Sequence, residues 1–223
     1  MSTVPGHVLT DPAWVAARID AMSRAWGTDV PRVAGTLWWC MAASTLVEQI
    51  AVAYAAGTPA PVAALGDFDC VVRPDGGVEH AQFHRVPVDA TGRSVRSDVG
   101  GETGAAAADE VAAALRDTLT AVISQVAAVS GAGVPALWAV VSDAIGNRAL
   151  DAGSPDAAVR LAADVGPRLP TPRFVTVEGR AFVRRASCCL VYEAPGREMC
   201  TSCPKRLPAE RTELLAAAAR CRY

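Results

Sequence analysis

Four cysteines stand within sixteen positions near the end of the chain: Cys188-Cys189, then ten residues, then Cys200-Thr201-Ser202-Cys203-Pro204. A free cysteine packs as a small buried hydrophobe and has no reason to cluster. Crowded thiolates become favourable when a cation neutralises them, so the group reads as a metal centre. A structural zinc takes four ligands in a tetrahedron, and a [2Fe–2S] cluster takes four, two on each iron. Cys188, Cys189, Cys200 and Cys203 satisfy either count. Zinc modules usually present two separated C-x-x-C knuckles, whereas only Cys200 and Cys203 form one here. Adjacent residues of a strand point to opposite faces, so Cys188 and Cys189 need a local twist to serve one centre. Spreading four sulfurs around a two-iron rhomb is the easier use of such a pair, though spacing alone leaves zinc open.

Arg184-Arg185-Ala186-Ser187-Cys188-Cys189-Leu190-Val191-Tyr192, then Pro195-Gly196, then Cys200-x-x-Cys203-Pro204, resembles the C-terminal signature of the FhuF-type ferric-siderophore reductases. Leu137 to Ala144 also resembles a helical segment that this family carries upstream. The resemblance implies that Cys188, Cys189, Cys200 and Cys203 hold a [2Fe–2S] cluster. It also implies an oxidoreductase of iron acquisition, reducing an Fe(III)–siderophore by one electron to release Fe(II). Thr201-Ser202 departs from the glycine and aspartate common inside the family's C-x-x-C, which alters hydrogen bonding to the sulfurs and hence the potential. The partners implied are a ferric siderophore and an external electron donor, a ferredoxin or a reductase.

Electron transfer needs no general base or nucleophile, and no catalytic triad is evident, so nothing beyond the cluster is expected to be catalytic. Arg184, Arg185, Lys205 and Arg206 flank the cysteines and could supply a positive docking field for an anionic complex; solvated charges are the simpler reading. Two alternatives of other classes stand beside the reductase. One is a zinc-binding structural or regulatory module. The other is an iron–sulfur redox sensor or siderophore-binding protein without turnover.

Other candidates are weaker. His80 and His84 fall on one strand face, but four cysteines already complete a ligand set. Cys40 and Cys70 read as core, and Cys221 as a spare thiol. Trp38, Trp39 and Trp138 suit core packing better than a ligand pocket. Gly131-Ala132-Gly133 mimics a dinucleotide fingerprint but follows a helix and contains Pro135 close behind, so it is rejected.

The elements that must position the cysteines are mostly helical. The chain has 223 residues, 51% of them apolar, enough for a substantial core. Helices are expected from Pro12 to Gly27, from Asp29 or Pro31 to about Ala56, from Ala105 to Val129, from Pro135 to Leu150, from Ser154 to Gly166, and a short one from Pro208. Alternation from Phe68 to Val88 around Pro74-Asp75-Gly76-Gly77 predicts a hairpin, and Phe174 to Val183 around Glu178-Gly179 a second. Residues 89–104 read as a long polar loop. The fold class expected is α+β: residues 1–170 a helical and β scaffold with the siderophore-docking region, residues 171–223 the cluster-binding segment.

A net charge of −2 with interspersed signs argues against a nucleic-acid partner. The longest apolar run, Leu37 to Val47, is too short for a transmembrane segment, and the N-terminus lacks signal-peptide character. An odd number of cysteines without a pairing pattern fits a reducing compartment. The expected location is cytoplasmic, at most peripheral to the inner face of the membrane.

Overall fold

A computed structural model describes residues 1–87 and 102–221, and the side chains of all of these but 102–104. The architecture is α+β, as expected. In chain order the elements are β1 (Ser2–Pro5), α1 (Pro12–Trp26), α2 (Pro31–Ala56), β2 (Phe68–Val72), β3 (Val78–Phe83), α3 (Glu102–Ser130), α4 (Val134–Asp151), α5 (Pro155–Val165), β4 (Phe174–Val177), β5 (Arg180–Val183) and α6 (Pro208–Arg220). Short 3-10 turns cover Gly6–Thr10 and Val191–Glu193.

Proline and glycine punctuate the helices as their chemistry requires. Proline lacks the N–H that a first helical residue leaves unpaired, and it opens α1, α2, α5 and α6. Gly27 and Gly57 end α1 and α2 with φ of 65° and 62°, a left-handed conformation that costs glycine nothing.

α2 is apolar on nearly every face and lies at the centre of the body, against α1, α3, α4 and α5. Trp38 and Trp39 are fully buried. Their indole N–H groups donate to Gly76 O at 3.1 Å and Leu137 O at 2.9 Å, so core packing is the outcome for these aromatics. α3 presents one stripe, with Val111, Leu115, Leu119, Val122 and Val126 buried. By length and composition alone its Ala105–Ser130 segment could cross a membrane, yet this stripe is packed inside the body.

The first hairpin is part of a larger sheet. β1 joins β2 antiparallel, giving the order β1-β2-β3, with Cys70 between Val4 and Ala81. β3 ends at Phe83 rather than reaching Val88. The expected loop at 89–104 lies mostly outside the described residues, and its last three residues begin α3. Cys70 is buried, Cys221 exposed, and His80 and His84 are exposed, His84 paired with Asp69 at 3.2 Å. The β4–β5 hairpin packs against α4 through β5 and touches α6 through β4. It delivers the chain to the cysteines.

Candidate metal centre

The approach to the cysteines is set by one carboxylate. Asp143, on α4, has a side chain only 5% exposed and accepts from Ala186 N at 2.8 Å, Ser187 N at 2.9 Å, Ser187 Oγ at 2.6 Å and Arg185 Nε at 3.3 Å. A buried carboxylate is tolerated when its oxygens are filled in this way. The result is that three consecutive residues before Cys188 are pinned to the helical body.

The chain then leaves extended geometry. Leu190 has φ of 62°, a left-handed backbone that costs a non-glycine residue on the order of 1 kcal/mol or more. Its N–H lies 3.4 Å from Cys188 Sγ. This turn follows the cysteine pair and leads the chain into the 3-10 turn Val191–Glu193.

The second half of the motif is a knuckle. Cys203 N donates to Cys200 O at 3.1 Å and Arg206 N to Cys203 O at 3.2 Å, two successive turns. Arg206, 13% exposed, braces them by donating to Cys200 O at 2.9 Å and to Met199 O, and it pairs with Glu210 of α6.

The cysteine pair faces the knuckle, and one contact joins them sulfur to sulfur. Cys188 Sγ lies 3.8 Å from Cys203 Sγ, and Cys189 and Cys200 are near enough to shift each other's acidity. Two ligands about 2.3 Å from a tetrahedral centre lie roughly 3.8 Å apart, so Cys188 and Cys203 have the separation that a single metal ion imposes. Among the described residues, no three Cys, His, Asp or Glu side chains converge on one point. Four thiols gathered on two facing turns are a donor set whose chemistry fits a [2Fe–2S] cluster, which takes two cysteines on each iron.

Arg185 lies under these sulfurs. Its side chain is 16% exposed, and Nη1 is 3.6 Å from Cys200 Sγ. The neighbouring Cys200 thiol, with help from Val191 N–H and Arg185, draws the Cys189 thiol down to about 5. The same neighbour, Cys189, together with burial pushes the Cys200 thiol up; burial pushes up Cys188. Cys40 of α2 feels the charges of Arg185, Cys189, Asp143 and Cys188, but burial pushes it up to about 12, so it remains a neutral packing group.

The four basic residues expected at a docking surface divide. Arg184 is exposed, and so is Lys205, which donates to Tyr192 Oη at 2.8 Å and lies over that ring. Arg185 and Arg206 both turn inward, one onto Asp143 and a sulfur, the other onto the knuckle's carbonyls. Asp143 is the residue that sequence reasoning missed. Its signal was a lone acid within the apolar run Leu137 to Ile145, all buried.

No curated protein matches the chain. Residues 185–205 match the family model of the FhuF 2Fe-2S C-terminal domain. Cys188, Cys189, Cys200 and Cys203 fit the cysteine motif of that domain, whose cofactor is a [2Fe–2S] cluster.

Proposed function

We propose that this protein is a ferric-siderophore reductase whose cluster is held by Cys188, Cys189, Cys200 and Cys203, with residues 171–223 as the cluster-binding segment and residues 1–170 as its scaffold. The observation that carries the reading is the contact of Cys188 Sγ with Cys203 Sγ at 3.8 Å, across the motif and inside the segment matched to a 2Fe-2S domain. The chemistry a [2Fe–2S] cluster supplies when bound is transfer of one electron, taken from an external ferredoxin or reductase and given to the Fe(III) of a chelate, which is released as Fe(II).

The chain's own residues prepare that transfer. Asp143 and Leu190 aim Cys188 and Cys189 at the knuckle, and Arg206 fixes the knuckle's carbonyls. Arg185 sets a permanent positive charge beside Cys200 and Cys189, which favours the more negative, reduced state of whatever those sulfurs bind. The seven cysteines are all free, in keeping with a cytoplasmic location.

Iron, zinc and sulfide analysis of anaerobically purified protein tests the centre, and Fe(II) trapping from a ferric chelate tests the activity. The expected result is iron and sulfide in equal amounts, lost in Cys189→Ser and Cys203→Ser and kept in Cys40→Ser and Cys70→Ser. Stoichiometric zinc without sulfide would make the site a structural module. A reducible cluster that yields no Fe(II) would make it a sensor.

A further inference from the structure

A cleft of about 470 Å³ opens between the β4–β5 hairpin, the knuckle and the start of α6. Arg173, Arg184, Arg185 and Arg211 line it with Ser202, and no lining residue is acidic. Phe174, Val183 and Leu215 give it an apolar wall. Arg32, Arg73, Arg85, Arg148 and Arg220 each hold a carboxylate elsewhere on the molecule. The exposed side chains of Arg173 and Arg184 have no ion pair or hydrogen-bond partner among the described residues. Among the described residues, Arg211 reaches only the carbonyls of Cys203 and Pro204, both at 3.5 Å.

The cleft also has a place. Ala186 stands two residues before Cys188, and Ser202 and Pro204 flank Cys203, so one wall is the backbone that carries the sulfurs. A ligand in the cleft rests against the metal-binding loop without crossing the helical body.

We infer that this cleft docks the ferric chelate, and that the chelate it selects is net anionic, presenting carboxylate or catecholate oxygens rather than neutral hydroxamates. The inference rests on the reductase reading and adds the substrate class to it. Four thiolates with inorganic sulfide leave a [2Fe–2S] centre net negative, so an anionic chelate approaching it is repelled. Guanidinium groups offset that repulsion and bind oxyanions through paired N–H donors. The volume falls in the range of about 300–1,000 Å³ usual for small-molecule sites, and the mixture of apolar wall and few polar anchors fits one.

Gallium(III) chelates test docking apart from turnover, because Ga(III) carries the charge of Fe(III) but accepts no electron from a biological donor. Cluster-loaded protein is titrated calorimetrically with anionic gallium citrate, an anionic gallium tricatecholate and a neutral gallium trihydroxamate, at low and high salt. An anionic chelate is expected to bind at least tenfold more tightly than the neutral one and to weaken as salt rises. The double variant Arg173→Gln/Arg184→Gln should lose that advantage while keeping the visible absorption of the cluster. Equal binding of the neutral chelate, or unchanged binding by the double variant, overturns the inference. So does a double variant that slows only the electron donor's reduction of the cluster, which would make the cleft a protein-docking surface. Fe(II) trapping separates the two readings. Ferric chelate reduced at the wild-type rate by the double variant sinks the docking site and leaves the reductase. Gallium chelate bound as expected, with no Fe(II) formed from its iron counterpart, sinks the reductase and leaves the binding site.

Discussion

Asp143 and Arg185 act on the same sulfurs with opposite charge, and that opposition makes their role measurable. Arg185 stands 3.6 Å from Cys200 Sγ, and Asp143 holds it there from the far side. Replacing Arg185 by Gln removes a positive charge from beside the centre, so the midpoint potential should fall, by on the order of tens of millivolts. Replacing Asp143 by Asn removes a negative charge, so the potential should rise. A purely structural role would move neither in opposite directions; both variants would simply lose iron. Protein-film voltammetry or an optical titration of the two variants decides the point. Asp143→Asn should also lower stability by roughly 3 kcal/mol, because it leaves Arg185 a buried, unpaired charge. The cysteine quartet was legible because ligand spacing is written along the chain. The Asp143 contact was not, since forty or more residues separate it from Arg185, Ala186 and Ser187 and nothing local addresses one to the other. The same limit explains Arg185 and Arg206. Flanking position suggested a docking field, but which way a side chain turns depends on the partner that faces it.

Among the described elements, α2 and α3 approach closely at Gly35. A Cβ on Gly35 would stand 2.4 Å from Ser130 Cβ, an atom fixed to its backbone and unable to swing aside. Alanine would gain up to about 1 kcal/mol in helix propensity. Parting two packed helices costs more, typically 1–3 kcal/mol, so Gly35→Ala should lower the thermal midpoint, as differential scanning calorimetry can show. Ser130 is held in turn by its own bond to Val126 O at 2.7 Å, so a rotamer change does not relieve the contact. Helix limits were readable to within a few residues because proline, glycine and an apolar period of 3.6 are local signals. β1 was not readable. Ser2–Pro5 is a short edge strand with little alternation, and it becomes a strand only because β2 offers it an unpaired side.

At the scale of the molecule, the helical body and the cysteine segment depend on different forces. The core from α1 to α5 is a continuous set of buried apolar side chains around α2. Residues 184–207 bury little of their own, with Ser187, Ala194 and Cys203 the buried positions, and contain no helix longer than the turn Val191–Glu193. That segment is held at its two ends, by Asp143 on one side and by Arg206 and α6 on the other. A short chain between, ionic at Arg32 to Glu193 and hydrogen-bonded from Lys205 through Tyr192, crosses to α2. These exposed links are individually weak, worth at most about 1 kcal/mol each. A metal centre held by Cys188, Cys189, Cys200 and Cys203 would close the loop between them, and metal-binding energy then becomes folding energy for that segment alone. Stripping the metal with a chelator under anaerobic reduction should therefore leave the helical circular dichroism close to unchanged. Limited proteolysis should cut first at Pro195 to Glu198, four consecutive exposed residues, and much faster than in the loaded protein. If the stripped protein instead lost its helices cooperatively, the sulfurs would be anchoring the whole core, and the division between a self-sufficient body and a metal-closed loop would be wrong.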